Sequence, residues 1–202
     1  MLISNSRKFV FIKTRKVGGS SLEKYIIDNH FDVDVDQCTG STVDNVPWYN
    51  LPDGTRGHMD WDSIVALNPK VKDYMVFTIE RNPWDKVVSQ YFFFRDQIKK
   101  IPKDMTFSQF VATRDFPTDK SRYVAGNPLI IKWEHMEDDL IMLCRNCGFE
   151  FDVDKFKSYN LKSGLRTDNH YSEMYSDEDI EIVREAFKWE IENLVYEFDD
   201  RR

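Results

Sequence analysis

Three short apolar runs punctuate this chain, and each gives way to polar residues that open a helical pattern. The first, Phe9-Val10-Phe11-Ile12 within Lys8 to Lys13, reads as a short strand buried on both faces, the kind found in parallel sheets. Tyr74 to Ile79 and Leu129 to Trp133 repeat the pattern. Helical periodicity follows each run. Leu22, Tyr25 and Ile26 fall on one face of a helix over 20–29. Asn82 is a good N-cap, Pro83 suits the first helical position and Asp85 the first turn, so a helix runs through Tyr91 to about Asp96. His135 to Cys147 reads as a helix that Gly148 closes.

Other signals complete the outline. Asp62 to Leu67 forms a short helix stopped before Asn68-Pro69, and Thr106 with Gln109 is a capping box that opens another. Ser176 caps a final helix whose Ile180, Val183, Phe187, Ile191 and Leu194 keep the helical spacing. Tyr91 to Phe94 and Trp84 read as core. Residues 31–56, Arg114 to Asn127 and 158–175 read as irregular. No internal repeat is visible. Strands alternating with helices predict an α/β fold built on a central parallel sheet flanked by helices.

Length and charge narrow the classes. With 202 residues, 41% of them hydrophobic, the chain is long enough for one globular domain with a substantial core. A net charge of −7 argues against an extended basic face for nucleic acid, though a cleft can still hold a small anion. Met1 to Lys8 lacks the apolar run of a signal peptide, and no segment approaches the roughly 20 apolar residues of a membrane span. The three cysteines include a Cys144-x-x-Cys147 pair with no second pair to make a zinc site. They read as buried thiols, and the expected compartment is the cytoplasm.

The chemistry lies at two strand-to-helix junctions. After the first strand come Lys13, Arg15 and Lys16, then Gly18, Gly19, Ser20 and Ser21 at the start of a helix. Backbone N–H groups, hydroxyls and a helix dipole there converge on one point, which suits a phosphate or sulfate. After the second strand comes Arg81, with Ser89 two turns into the following helix. Ligands of open parallel sheets bind beyond the carboxyl ends of the strands, so both motifs are expected to face one crevice.

Together, FIKTRKVGGSSLE and FTIERNPWDKVVSQYFF resemble the sulfotransferases that use 3′-phosphoadenosine 5′-phosphosulfate (PAPS), in particular the carbohydrate sulfotransferases and their bacterial and phage relatives. The first motif resembles that family's 5′-phosphosulfate loop, of the form PKTGGTS, with Lys16, Gly18, Gly19, Ser20 and Ser21 on matching positions. Arg15 replaces its proline and Val17 its threonine, so one hydroxyl is lost. Arg81, Pro83, Ser89 and Tyr91 match its 3′-phosphate motif, RxPxxxxxSxY. Ile131-Lys132-Trp133-Glu134 with Asp138, Asp139 and Leu140 resembles its third strand and helix, and Tyr171 to Phe198 its closing helix.

The resemblance implies a P-loop-like three-layer sandwich over residues 1–202, with 31–56 and 98–127 as acceptor-site insertions. It implies in-line sulfuryl transfer from PAPS to an acceptor hydroxyl of a carbohydrate or small molecule, leaving PAP, without a metal. Lys16 is the expected catalytic cation and His58 the expected base, with Asp60 as the alternative. Arg15, Lys16, Val17, Gly18, Gly19, Ser20 and Ser21 are expected to hold the 5′ end. Arg81 and Ser89 are expected at the 3′-phosphate, with Arg166 closing over it from the late loop. His170 and Tyr171 could line the acceptor site or simply pack their loop, and Trp84 could stack on adenine. The rivals are a P-loop nucleotide kinase or NTPase, which needs GxxxxGK[ST] and a magnesium-binding acid, and a non-catalytic adenylate-binding module of the same fold. Here the lysine precedes the glycines, which opposes the first rival.

Overall fold

A computed structural model describes residues 1–40, 46–53, 55, 57–159 and 169–202. In chain order the elements are β1 (Leu2–Ser4), β2 (Phe9–Ile12), α1 (Gly19–His30), β3 (Gln37–Cys38), α2 (Trp61–Leu67), β4 (Met75–Glu80), α3 (Pro83–Phe92), α4 (Phe107–Ala112), α5 (Lys120–Tyr123), β5 (Leu129–Lys132), α6 (Met136–Asn146), α7 (Val153–Ser158), α8 (Asp177–Ala186) and α9 (Lys188–Leu194). They group into two compact units. One comprises Met1–Glu80 with Ser121–Leu161, the other Arg81–Lys120 with Lys162–Arg202.

The first unit carries a five-stranded sheet in the order β3-β1-β2-β4-β5. The three expected strands, β2, β4 and β5, run parallel, with Phe11 opposite Phe77 and Ile79 opposite Ile131. The sheet is nonetheless mixed, because β1 pairs antiparallel with both β2 and β3. Neither of those strands was legible, since two or three residues carry no period of their own. Phe9, Phe11, Phe77, Ile79 and Ile131 face a core completed by Leu22, Tyr25 and Ile26 of α1, Leu140, Leu143 and Cys144 of α6 and Phe156 of α7. The Phe11 and Phe77 rings stack across the two strands at 5.1 Å.

The third apolar run is not a buried strand. β5 is an edge strand whose Leu129 is 56% exposed. The stretch from Arg114 to Asn127 contains α5 and a 3-10 turn at Val124–Gly126, and α7 is a helix that the sequence pattern missed. The three cysteines are buried and free, and burial pushes the thiols of Cys38 and Cys144 up to about 12 and that of Cys147 to about 11. Among the described residues no group of His, Cys, Asp and Glu is arranged to hold a metal, and no helix is long and apolar enough to cross a membrane.

One ion pair brackets the turn between β2 and α1. Lys13, the residue after β2, places its ammonium on Glu23 of α1, and both side chains are buried. Glu23 also accepts from the Met1 amino group at 2.8 Å, and that amino group donates to Thr39 Oγ1 at 2.7 Å. Two threonines then tie neighbouring strand ends. Thr14 Oγ1 donates to the Ile79 carbonyl, and Thr78 Oγ1 donates to the Ile12 carbonyl at 2.8 Å.

The second unit is helical among its described residues. Asn82, Pro83 and Asp85 open α3 as expected, and the capping boxes Thr106–Gln109 and Ser176–Asp179 open α4 and α8. Two helices differ from expectation. α3 widens into a π-helical turn at Phe93–Gln97, and the final helix breaks at Phe187, so its apolar stripe is divided between α8 and α9. Tyr91, Phe92, Phe94, Phe107, Phe110, Val183 and Phe187 form the core with Trp84.

That unit also buries charge. Lys86 Nζ lies 3.4 Å from Asp119 Oδ2, with both side chains fully buried. Burial pushes the Glu190 carboxyl above its ordinary value; Asp119 adds to the rise, while Lys86 and Lys120 oppose it.

Two stability experiments follow from these buried charges. Glu23→Ala leaves Lys13 buried without its carboxylate and is expected to cost about 3–5 kcal/mol, read as a lower urea midpoint. Glu190 is raised in the folded state, so folding binds a proton, and stability declines as pH rises from the ordinary carboxylate value of 4.5 toward the folded value. Glu190→Gln removes that decline. Its stability relative to the wild type should improve through this window and level off above it, as followed by denaturant titration at stepped pH.

Candidate functional site

The β2–α1 loop is set by its backbone. Lys16 and Gly18 both adopt left-handed conformations, at φ 64° and 74°. For Gly18 this costs nothing, whereas a side chain is strained there by about 1–2 kcal/mol. Gly18 is the N-cap of α1 and brings no side chain to close the helix end. A Cβ at this position would sit 3.7 Å from the indole Nε1 of Trp133, which is itself over one-third exposed. The Gly18 carbonyl accepts from the Ser21 and Leu22 N–H groups at 3.0 and 3.3 Å, which starts the helix. The loop therefore presents an exposed glycine and the positive end of a 12-residue helix.

The side chains of the loop divide. Arg15, Lys16 and Ser21 are half-buried, Gly18 is exposed, and Val17, Gly19 and Ser20 are buried. Lys13 turns inward to Glu23, so it belongs to the support of the loop. Glu23 and Trp133 are the two residues around this loop that motif reading passed over as separate contributors. No local pattern marks Glu23, since its partner lies across the turn. Trp133 was quoted only as part of the third strand.

His58 lies against the same loop. Its ring Nδ1 is 3.1 Å from the Lys13 carbonyl oxygen. A carbonyl can only accept, so this bond requires a proton on Nδ1 and puts the lone pair of the neutral ring on Nε2. The backbone of His58 is left-handed, at φ 54°, and its carbonyl accepts from the Arg122 guanidinium. Asp60, the alternative base, is otherwise engaged. It is the N-cap of α2 and accepts from the Ser63 N–H at 2.8 Å. Those Ser63 hydrogen bonds hold its carboxyl below the usual aspartate value, with a smaller contribution from Arg122.

In the second unit, Arg81 directly precedes the cap of α3, and Arg81, Asp85 and Ser89 follow at four-residue spacing on one helix face. Arg81 Nε donates to Asp85 Oδ2 at 2.8 Å, in a pair whose side chains are each 12% exposed. Asp85 thus orients the guanidinium, and Ser89 is half-buried further along. Trp84 is core: its indole N–H donates to the Ile180 carbonyl at 3.2 Å, which removes it as an adenine platform. His170 and Tyr171 serve packing, with the Tyr171 hydroxyl accepting from the Asp199 N–H at 2.7 Å. His170 Nδ1 lies 2.9 Å from Ser172 Oγ, and the Tyr171 ring is buried. Arg166 lies outside the described residues.

Comparisons with known proteins place this architecture. No family model matches the chain. The mouse sulfotransferase SULT7A1, solved in complex with PAP, superposes with a TM-score of 0.56 over 95% of this chain and 86% of that one, at 14% sequence identity. A protein of Archaeoglobus fulgidus, described only as uncharacterized, is 32% identical over 90 residues, which make up 40% of this chain and 73% of that protein. The chain therefore has the sulfotransferase fold and belongs to the family of this Archaeoglobus fulgidus protein.

Proposed function

We propose that residues 1–202 work as one sulfotransferase domain that moves a sulfuryl group from PAPS to an acceptor hydroxyl. Among the reading's supports, the backbone of the β2–α1 loop carries the most weight. It sets a left-handed lysine and a left-handed glycine before a helix whose N-cap, Gly18, carries no side chain, within a sulfotransferase fold. A cradle of this kind fits a phosphate group, because among the described residues, chain neighbours and the helix's own backbone aside, the Trp133 indole edge is what a Cβ on Gly18 would meet within 4 Å. Each compact unit is built from two separate stretches of sequence, which supports treating the chain as one functional domain.

In this reading, the loop from Arg15 to Ser21 holds the 5′ end of the nucleotide through backbone N–H groups, with hydroxyl help from Ser20 and Ser21. Arg81, oriented by Asp85, and Ser89 hold the 3′-phosphate, where a guanidinium suits the geometry. The same role at the 3′-phosphate is proposed for Arg166. The donor supplies the activated sulfuryl group. Lys16 neutralises the negative charge that grows on the departing phosphate end. His58, with its lone pair on Nε2, takes the proton from the acceptor hydroxyl. Bound PAP is the expected product, no metal is assigned a role, and the cytoplasm is the proposed compartment. A glycan or small metabolite is the proposed acceptor, in keeping with a carbohydrate-type bacterial or phage sulfotransferase, and the acceptor-binding role falls to residues 31–56 and 98–127.

Calorimetry with PAP and adenosine 5′-phosphate tests the binding half. The wild type should prefer PAP, and Arg81→Ala should weaken PAP about 10- to 100-fold while leaving adenosine 5′-phosphate unchanged. Equal preference for the two nucleotides in the wild type would refute the assignment. Radiolabelled donor screened against glycans and small hydroxyl compounds tests the transfer half. With the acceptor so found, Lys16→Ala should lower turnover about 100- to 1,000-fold. His58→Ala should lower it about 100- to 10,000-fold with PAP affinity intact. Loss of affinity alone in the His58 variant would reassign that residue to support.

A further inference from the structure

We infer that Arg122 is a positioning residue for His58, holding the imidazole in the tautomer and orientation that a base beside the β2–α1 loop requires. The inference rests on the proposed role of His58. It names a residue that motif reading left inside an irregular stretch.

His58 is gripped at two ends. Its ring donates from Nδ1 to the Lys13 carbonyl, and its own carbonyl accepts from the Arg122 guanidinium. The first contact decides the tautomer, but only while the backbone aims the ring at Lys13. That backbone is left-handed at φ 54°, a conformation that a residue with a Cβ does not favour. His58 follows an exposed glycine, Gly57, which lends no rigidity. The charged donor on the His58 carbonyl is a contact that holds the peptide in this orientation. Lys13 is itself immobilised by its buried pairing with Glu23. His58 is therefore held at its ring by the residue after β2 and at its carbonyl by Arg122.

Arg122 is well placed to be firm. It lies in α5, beside the fully buried Tyr123. The 3-10 turn that follows packs on α2, where a Cβ on Gly126 would come within 2.9 Å of the Trp61 ring. Trp61 opens α2, three residues after His58. The segment bearing Arg122 and the segment bearing His58 are thus packed together through Trp61 and Gly126 as well as joined by the hydrogen bond. Arg122 also adds a small electrostatic pull to the Ser63 hydrogen bonds that hold the Asp60 carboxyl below its ordinary value at the start of α2.

The experiment reads the ring directly, so it does not depend on knowing the acceptor. Histidine-ring 15N–1H correlation spectra of the full chain are recorded above the titration of the ring. Among the four histidines, His58 is identified by the signal lost in His58→Gln. The wild type is expected to show the Nδ1–H tautomer. Arg122→Met, which keeps the aliphatic stem but removes the donor, is expected to show a mixture enriched in Nε2–H. Arg122→Lys, which restores a cationic donor, is expected to move the mixture back. PAP affinity by calorimetry should stay within about twofold in both variants. Turnover with an acceptor should fall about 10- to 100-fold in Arg122→Met and recover in part in Arg122→Lys.

An unchanged Nδ1–H signal and unchanged turnover in Arg122→Met would overturn the inference. So would a loss of PAP affinity with the tautomer unchanged, which would make Arg122 a nucleotide contact. If Arg122→Met does not fold, Arg122→Ala decides: a mixture enriched in Nε2–H supports the inference, and a wild-type Nδ1–H signal overturns it. Failure of the sulfotransferase reading looks different, since the wild type would then bind no PAP while its tautomer and that of Arg122→Met still differ.

Discussion

The buried pairing of Lys13 with Glu23 is the constraint from which the candidate site is built. It joins the residue after β2 to the second turn of α1, and so bounds the turn between them. A charge pair buried this deeply gains little net stability, because desolvation offsets most of the attraction. What it supplies is position, since neither partner can leave without stranding the other. The Thr14 and Thr78 hydroxyls add the same kind of fixity by bonding across to carbonyls at the ends of β4 and β2. Because the ends are fixed, two of the four residues between Thr14 and Gly19, Lys16 and Gly18, can hold left-handed conformations that a looser turn would relax.

This support explains a division of labour among the cations. Of the three that follow β2, Lys13 is structural, and Arg15 and Lys16 are half-buried beside the exposed Gly18. The backbone carbonyl of Lys13 has a second use, as the anchor for the His58 ring. One residue thus holds the loop through its side chain and the proposed base through its main chain. Arg81 shows the same economy in the helical unit, where Asp85 one turn along α3 sets the direction of its guanidinium.

Much of this was legible because the signals are local. Asn82-Pro83 with Asp85, Thr106 with Gln109 and Ser176 with Asp179 mark helix starts by chemistry that acts within one turn, and α3, α4 and α8 begin where those residues stand. The parallel strands were visible as apolar runs. What escaped was short or dependent on distant partners. β1 and β3 are recognisable as strands only through each other and β2. β5 reads as a buried strand but is an edge, because burial depends on what lies beside a strand and not on its own residues. The last helix keeps an unbroken apolar period through Phe187, yet the backbone turns there.

The sequence by itself determined the order of the three parallel strands and of the helices that follow them, the capping boxes, and the placement of glycines and cations at the β2–α1 junction, because each depends on neighbours within a few positions. Only the tertiary structure decided which cation turns inward, that Trp84 is core, and that Arg122 reaches the carbonyl of His58. Those outcomes arise from contacts between residues about 10 to nearly 100 positions apart in most cases, where burial and pairing act through space and leave no period in the chain.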